Sequence, residues 1–308
     1  MENEESNIET NPIQRPFYYF SMFLTAIGLL LICGAIFQAI ALFVMHGQEL
    51  VGKSNEDMLK IISESTVYQQ KILQLFSSIG TFWLSSFLFF KIFKIKFVSD
   101  LGLTTKINRK HWMLIIPIAI TILPVISGLQ ILNQQIDLSG IFPDMQKSFD
   151  EMQKLNNELT EKFLVMPDIS TLFFNIFLIA LIPAVGEELM FRGVMFPIFW
   201  GWYKNKHAGI VISAVLFSMI HMQFFNFLPI ILMGVLFGYL YVWSGSIWVS
   251  IILHFINNAM VVLATYYYQH NGGDWLNPEY NMPWYFSLIS LPICGYFIYQ
   301  FYKTRNDE

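Results

Sequence analysis

Eight apolar runs, near residues 17–45, 72–93, 112–133, 169–200, 208–224, 226–243, 247–267 and 284–302, leave this 308-residue chain few ways to fold. A membrane-crossing helix needs about 20 mostly apolar residues, and most of the runs reach that length. A membrane barrel would instead need strands of roughly ten residues with alternating polarity. Only 13% of the residues are charged, against about 25% in a soluble domain. The expected fold is all-α: a polytopic transmembrane helical bundle of about eight spans over 17–303, between an acidic N-terminal tail at 1–16 and a short tail at 304–308. The break between the fifth and sixth runs rests on Asn226 and Pro229.

The chain starts with Glu2, Glu4, Glu5 and Glu9, not with the basic residues of a cleavable signal peptide. Cys33 and Cys294 both sit inside apolar runs, which argues against a disulfide framework and against a thiolate zinc site. The net charge of −4 comes without a basic patch of the size nucleic acid requires. The partners expected are the lipid bilayer and a protein or peptide substrate.

Lys and Arg suggest an orientation. Lys91, Lys94, Lys96, Lys106, Arg109 and Lys110 mark a cytoplasmic connection between the second and third runs. Eight spans then put both termini in the cytoplasm, on the side of Arg15, Arg192, Lys204, Lys206, Lys303 and Arg305. In a bacterium the membrane would be the cell membrane. The other side receives Lys53, Lys60, Lys71, Lys147, Lys154 and Lys162, a division of twelve to six. Polar helix-like stretches in 47–71 and 137–165 are expected to cap the bundle on that side.

Against this background Glu187 and Glu188 stand together in the fourth run, with Arg192 four residues beyond the second. A carboxylate in a bilayer core is costly and two together repel, so the pair marks a functional position. Residues four apart share a helix face, which lets Glu188 pair with Arg192 and turns Glu187 about 100° away. Glu187, without a partner on its own helix, is the residue available as a general base. Pro183 removes a backbone bond one turn earlier and is expected to kink the helix.

Phe217-x-x-x-His221 adds an imidazole. Glu187 and His221 each lie seventeen residues from Lys204. An antiparallel hairpin would bring them to one depth, where carboxylate and imidazole can hold and deprotonate a water. His254 and Asn258 share a face of the seventh run and can both donate to a developing oxyanion. They could equally bond neighbouring helices, a reading that suits Asn257 better. His254 is only nine residues from Gly245. It reaches the depth of His221 only if the 200–206 tip projects from the bundle or the helices tilt.

Glu187-Glu188-x-x-x-Arg192, Phe217-x-x-x-His221 and His254-x-x-x-Asn258, in this order on successive apolar helices, resemble the CPBP family. These are the CAAX-protease-like and bacteriocin-processing intramembrane proteases, also called Abi proteins. Gly234-x-x-x-Gly238 and Ser244-Gly245-Ser246-Ile247-Trp248 are similar to that family's link between its second and third motifs. The resemblance covers roughly 170–265, within a core placed at about 165–268. It implies an eight-helix bundle with a catalytic polar cluster inside, an intramembrane endopeptidase acting through a glutamate-activated water. By resemblance Glu187 activates the water, His221 orients it, His254 and Asn258 form the oxyanion site, and Glu188 and Arg192 support them. Eukaryotic relatives remove the last three residues of prenylated CAAX proteins; nothing in this sequence shows a prenylated substrate.

The chemistry leaves alternatives. Glu187, His221 and His254 could ligate Zn²⁺ and leave a position open for water. No His-Glu-x-x-His helix is present, and a metal-free mechanism without any cofactor uses the same residues and is preferred. A membrane scaffold or bacteriocin-immunity protein would use the cluster only to fix packing. A proton-coupled transporter would relay protons through it, and would favour broken helices in matched halves, of which no repeat is visible.

Overall fold

The computed structural model describes residues 14–47, 65–272 and 282–305, with four positions between 48 and 64. The expected acidic tail lies outside the described residues except for 14–16, which already belong to the first helix, and most of the cap expected at 47–71 lies outside them too. Of the 304–308 tail only Thr304 and Arg305 are described.

All eight apolar runs are helical, and no strand occurs among the described residues. The main helices are α1 (Gln14–His46), α2 (Val67–Ile92), α3 (Arg109–Gln134), α4 (Pro143–Phe163), α5 (Ile169–Tyr203), α6 (Lys206–His221), α7 (Phe227–Ser244), α8 (Ile247–Asn271) and α9 (Trp284–Lys303). Six of them, α1, α2, α3, α5, α8 and α7 with the turn before it, are long and apolar enough to cross a membrane. The fold is that of an integral membrane protein. α6 has 16 residues, a rise of about 24 Å against a hydrocarbon core of about 30 Å. α9 is 20 residues long and mixes its apolar residues with Tyr, Ser and Gln. The expected break between the fifth and sixth runs falls at Met222, whose positive φ of 54° ends α6. A short 3₁₀ turn at Phe224–Asn226 follows, and Pro229 sits in the first turn of α7.

Two buried clusters organise the bundle. One joins α1, α2, α5 and Phe217 of α6 to Ile247 and Ile251 of α8. The other joins α3, α7 and α9 to Val249 and Leu253 of α8. Thus α8 is the wall between them. Lipid tails are as apolar as Leu, so close packing of small residues, not exclusion from water, sets such crossings. A Cβ on Gly234 of α7 would stand 2.8 Å from that of Ala214 on α6, and one on Gly238 would meet Ile210 at the same distance.

α5 is not a uniform α-helix. Wide π-helical turns at Ile176–Leu181 and Phe191–Met195 bracket the nine-residue α segment Ile182–Met190, which carries both glutamates. The first of these turns lies directly before Pro183, where a kink is expected. α2 has a matching π segment at Ile79–Leu84, and Trp83 within it donates from Nε1 to Ile182 O at 3.1 Å. Such turns re-aim side chains and occur often at functional sites.

One end of the bundle gathers the described chain ends. Arg15 donates to Gly201 O and Trp202 O. The 94–108 connection docks on the α7–α8 turn, with Ile247 N bonded to Leu101 O (3.1 Å) and Trp248 Nε1 to Leu103 O (3.2 Å). At the other end α4 lies exposed, as a cap, with Phe149 stacked on Phe224 at 4.3 Å between ring centres. Arg192 and Lys71 are buried within spans and belong to no loop, so among the described residues the charge division between the ends becomes eleven to three.

Candidate active site

Glu187, Glu188 and Arg192 come from α5, His221 from the last turn of α6, and His254 from the second turn of α8. The expected ion pair is formed: Arg192 Nη1 lies 2.8 Å from Glu188 Oε1, both side chains being almost fully buried. Arg192 Nη2 donates to Gly234 O at 2.7 Å. Its guanidinium also lies over the rings of Phe217 and Phe237, 5.6 and 5.3 Å from their centres. A planar cation with five donors suits this combination of carboxylate, carbonyl and aromatic faces.

Glu188 Oε1 accepts a second bond, from His254 Nδ1 at 3.0 Å. A carboxylate paired with arginine can only accept, so the Nδ1 proton belongs to the histidine. His254 is clamped as well by Phe237, stacked 4.9 Å away, and by the edge of Phe217. With Nδ1 committed, Nε2 points at Glu187, 3.8 Å from its Oε2.

His221 arrives at the same oxygen from the other side. Ser213 Oγ bonds Phe191 O (3.0 Å) and sets the register of α6 on α5, which brings Glu187 within a turn of His221. The imidazole covers the difference by folding back toward the start of its helix, as helical side chains do. Its Nδ1 bonds Phe217 O at 2.7 Å, and its Nε2 lies 3.9 Å from Glu187 Oε2. Two imidazoles, each fixed through Nδ1, therefore aim Nε2 at one carboxylate oxygen. Both separations are too long for direct hydrogen bonds and within the reach of one bridging water. Side-chain exposure falls from 27% at His221 through 11% at Glu187 to 6% at His254, so the cluster opens past His221.

The structure brings Glu187, Glu188, Arg192, His221 and His254 together. Asn258 stands one turn beyond His254 and bonds none of them; its Nδ2 lies 3.5 Å from Ile179 O. Pro183 has no N–H to offer that carbonyl four residues before it. Asn257 Nδ2 is 3.4 Å from Asn258 Oδ1. The depth condition on His254 is met within the bundle, since both glutamates contact it.

For zinc, Glu187, His221 and His254 supply suitable donor types, and Nδ1 bonds of this kind orient metal-binding histidines. Their donor separations of 3.8 and 3.9 Å exceed the roughly 3.3 Å between ligands of a tetrahedral site with bonds near 2.0 Å. Among the described residues no group of three or more His, Cys, Asp or Glu has metal-site geometry.

Some members could not be singled out in the sequence. Phe237 is one aromatic residue among many in α7, and Trp83 belongs to a span without any motif. A Cβ on Gly186 would run into the Trp83 ring, at 2.6 Å from Nε1. A glycine beside two glutamates is the one sequence signal that could have revealed this neighbour.

Comparison with known proteins falls on the same segment. Residues 169–260 match the model of the type II CAAX prenyl endopeptidase Rce1-like family. The membrane-embedded CAAX protease MroQ of Staphylococcus aureus (strain USA300) is 33% identical over 110 residues, 34% of this chain and 43% of that protein. Two Bacillus subtilis (strain 168) proteins also match: YpbD, 27% identical over 28% of this chain and 43% of its own length, and YdiL, 31% identical over 27% and 34%. The chain thus spans less than half the length of these curated relatives. No solved structure matches it significantly. Glu187, His221, His254 and Asn258 all fall inside the segment, residues 169–260, that is similar to the Rce1-like CAAX endopeptidase family.

Proposed function

We propose that the chain is an intramembrane endopeptidase in which Glu187 activates a water against a peptide bond. The observation that carries this reading is the convergence of His221 Nε2 and His254 Nε2 on Glu187 Oε2, at 3.9 and 3.8 Å. Glu187 takes a proton from the water as its oxygen bonds the scissile carbonyl carbon, and passes it to the departing amine as the C–N bond breaks. The two imidazoles fix the water. Asn258, whose bonds to Ile179 O and Asn257 are both long, turns to donate to the oxyanion, while His254, with its Nδ1 proton given to Glu188, accepts from the water through Nε2. Glu188 and Arg192 hold His254 in place without touching the substrate.

The family that the segment resembles and the name of its Staphylococcus relative support a protein or peptide substrate carried by the membrane. The bundle end that holds the 94–108 connection and both described chain ends faces the cytoplasm, in keeping with its excess of Lys and Arg. No metal enters this mechanism.

Membrane proteomes of cells carrying wild type or Glu187→Gln test the reading. The variant should fold and insert normally while uncleaved substrate accumulates. Full biological activity of a well-folded Glu187→Gln protein would sink it and leave a scaffold or immunity role, in which the carboxylate only packs.

A further inference from the structure

The end of the bundle that holds the 94–108 connection also bears an open cavity of about 480 Å³. Its walls include Lys206 and His207 at the start of α6, Tyr239 and Trp243 of α7, and Tyr302 and Arg305 at the end of α9. No Asp or Glu lines it among the described residues. It is separate from the glutamate cluster: Lys206 and His221 are the two ends of α6, about 22 Å apart by helical rise.

The polar walls are fixed in place. His207 Nδ1 and the Tyr239 hydroxyl are 2.7 Å apart. Lys206 Nζ stands 4.9 Å from the centre of the Trp200 ring, and the Arg305 guanidinium lies 4.2 Å over Tyr302. Trp243 meets Tyr302 edge to face at 5.2 Å. Trp and Tyr concentrate where hydrocarbon gives way to lipid headgroups, and this end is ringed by Trp200, Trp202, Tyr203, Tyr239, Trp243 and Tyr302. The cavity therefore lies at headgroup level. The Lys206 ammonium, the positive end of α6 and hydroxyl donors suit a phosphate, and the aromatic walls suit the glycerol and upper chains that follow it. Its volume is in the range of pockets that hold small molecules.

We infer that this cavity binds the phosphate head of an anionic membrane phospholipid. The inference is independent of the peptidase reading. It has a mechanical consequence: α6, too short to find its depth by length, is anchored at Lys206 and His207 by the lipid surface.

Native mass spectrometry of the purified chain in neutral detergent, titrated with phosphatidylglycerol, phosphatidylcholine or sodium phosphate, tests it. One phosphatidylglycerol should be retained per chain, at least about tenfold more tightly than phosphatidylcholine. Lys206→Ala/His207→Ala should abolish that preference. Lys91→Ala/Lys96→Ala, which removes charge from the same end outside the cavity, should leave it within about twofold. Arg305→Ala reads the opposite wall should the first pair fail to fold. Equal retention of the two lipids, or equal loss in the Lys91/Lys96 variant, would overturn the site in favour of diffuse charge attraction. Free phosphate binding as tightly as phosphatidylglycerol would overturn the lipid assignment.

Discussion

His254 Nδ1 lies 3.0 Å from Glu188 Oε1, and that bond decides where the histidine points. The same oxygen holds Arg192 at 2.8 Å. Glu188→Ala should leave a buried guanidinium without its carboxylate, a loss of about 3–5 kcal/mol. Thermal unfolding in detergent should rank Glu188→Ala far below wild type, with Glu188→Gln between them because its amide oxygen still accepts from His254. Equal stability of all three would mean that the triad does not hold the bundle.

Gly234 sits where α6 and α7 cross, and its carbonyl receives Arg192. Gly234→Val should force the helices apart and lower stability by about 1–3 kcal/mol. Gly295 of α9 offers the comparison, since nothing lies within 4 Å of a Cβ added there. Gly295→Ala should be neutral in the same melting assay.

Asp168 caps α5 by accepting from Ser170 Oγ (2.7 Å), Thr171 N (2.8 Å) and Thr171 Oγ1 (2.8 Å). Those bonds, that of the Ser170 hydroxyl first, lower its pKa to about 2. A depressed carboxylate stabilises the fold above its unfolded value of about 3.9, and that contribution is lost as pH falls toward the folded value. The melting difference between wild type and Asp168→Ala should be constant above about pH 5 and vanish near pH 2. A difference that persists at the acid limit would assign the effect to packing.

A metal-free site should survive chelation. Purified active protein is expected to hold far less than one zinc per chain by elemental analysis, and to keep its hydrolytic rate after treatment with EDTA. Stoichiometric zinc, with activity lost and restored alongside it, would instead make Glu187, His221 and His254 ligands.

Much of this was legible in the residues. Four-residue spacing specified the Glu188–Arg192 pair because helix geometry is local. Counting back from Lys204 brought Glu187 within a turn of His221, because a hairpin keeps distance from its tip except where the wide turn at Phe191–Met195 adds a residue. His254 was different. Its spacing to Asn258 suggested a shared oxyanion role, whereas its Nδ1 is taken by Glu188 across the bundle. That choice depends on how α8 rotates between two apolar clusters, and no local pattern records it. Trp83 and Phe237 stayed hidden for a related reason: in a chain with thirty Phe and eight Trp, aromatic residues carry little positional information.

The wide turns of α5 give the helix three separately aimed facets. Each such turn carries one residue more than an α-turn and so advances the angular phase of all that follows. Ile169–Asn175 meets the outer part of α8, Ile182–Met190 faces α2 and α8 with the glutamates, and Phe196–Tyr203 rests on α6 and α1. A helix that changes phase twice shows no single stripe when its residues are plotted on one wheel. Both glutamates ride on a short middle facet, which the flanking facets hold in angle much as two bearings hold a shaft.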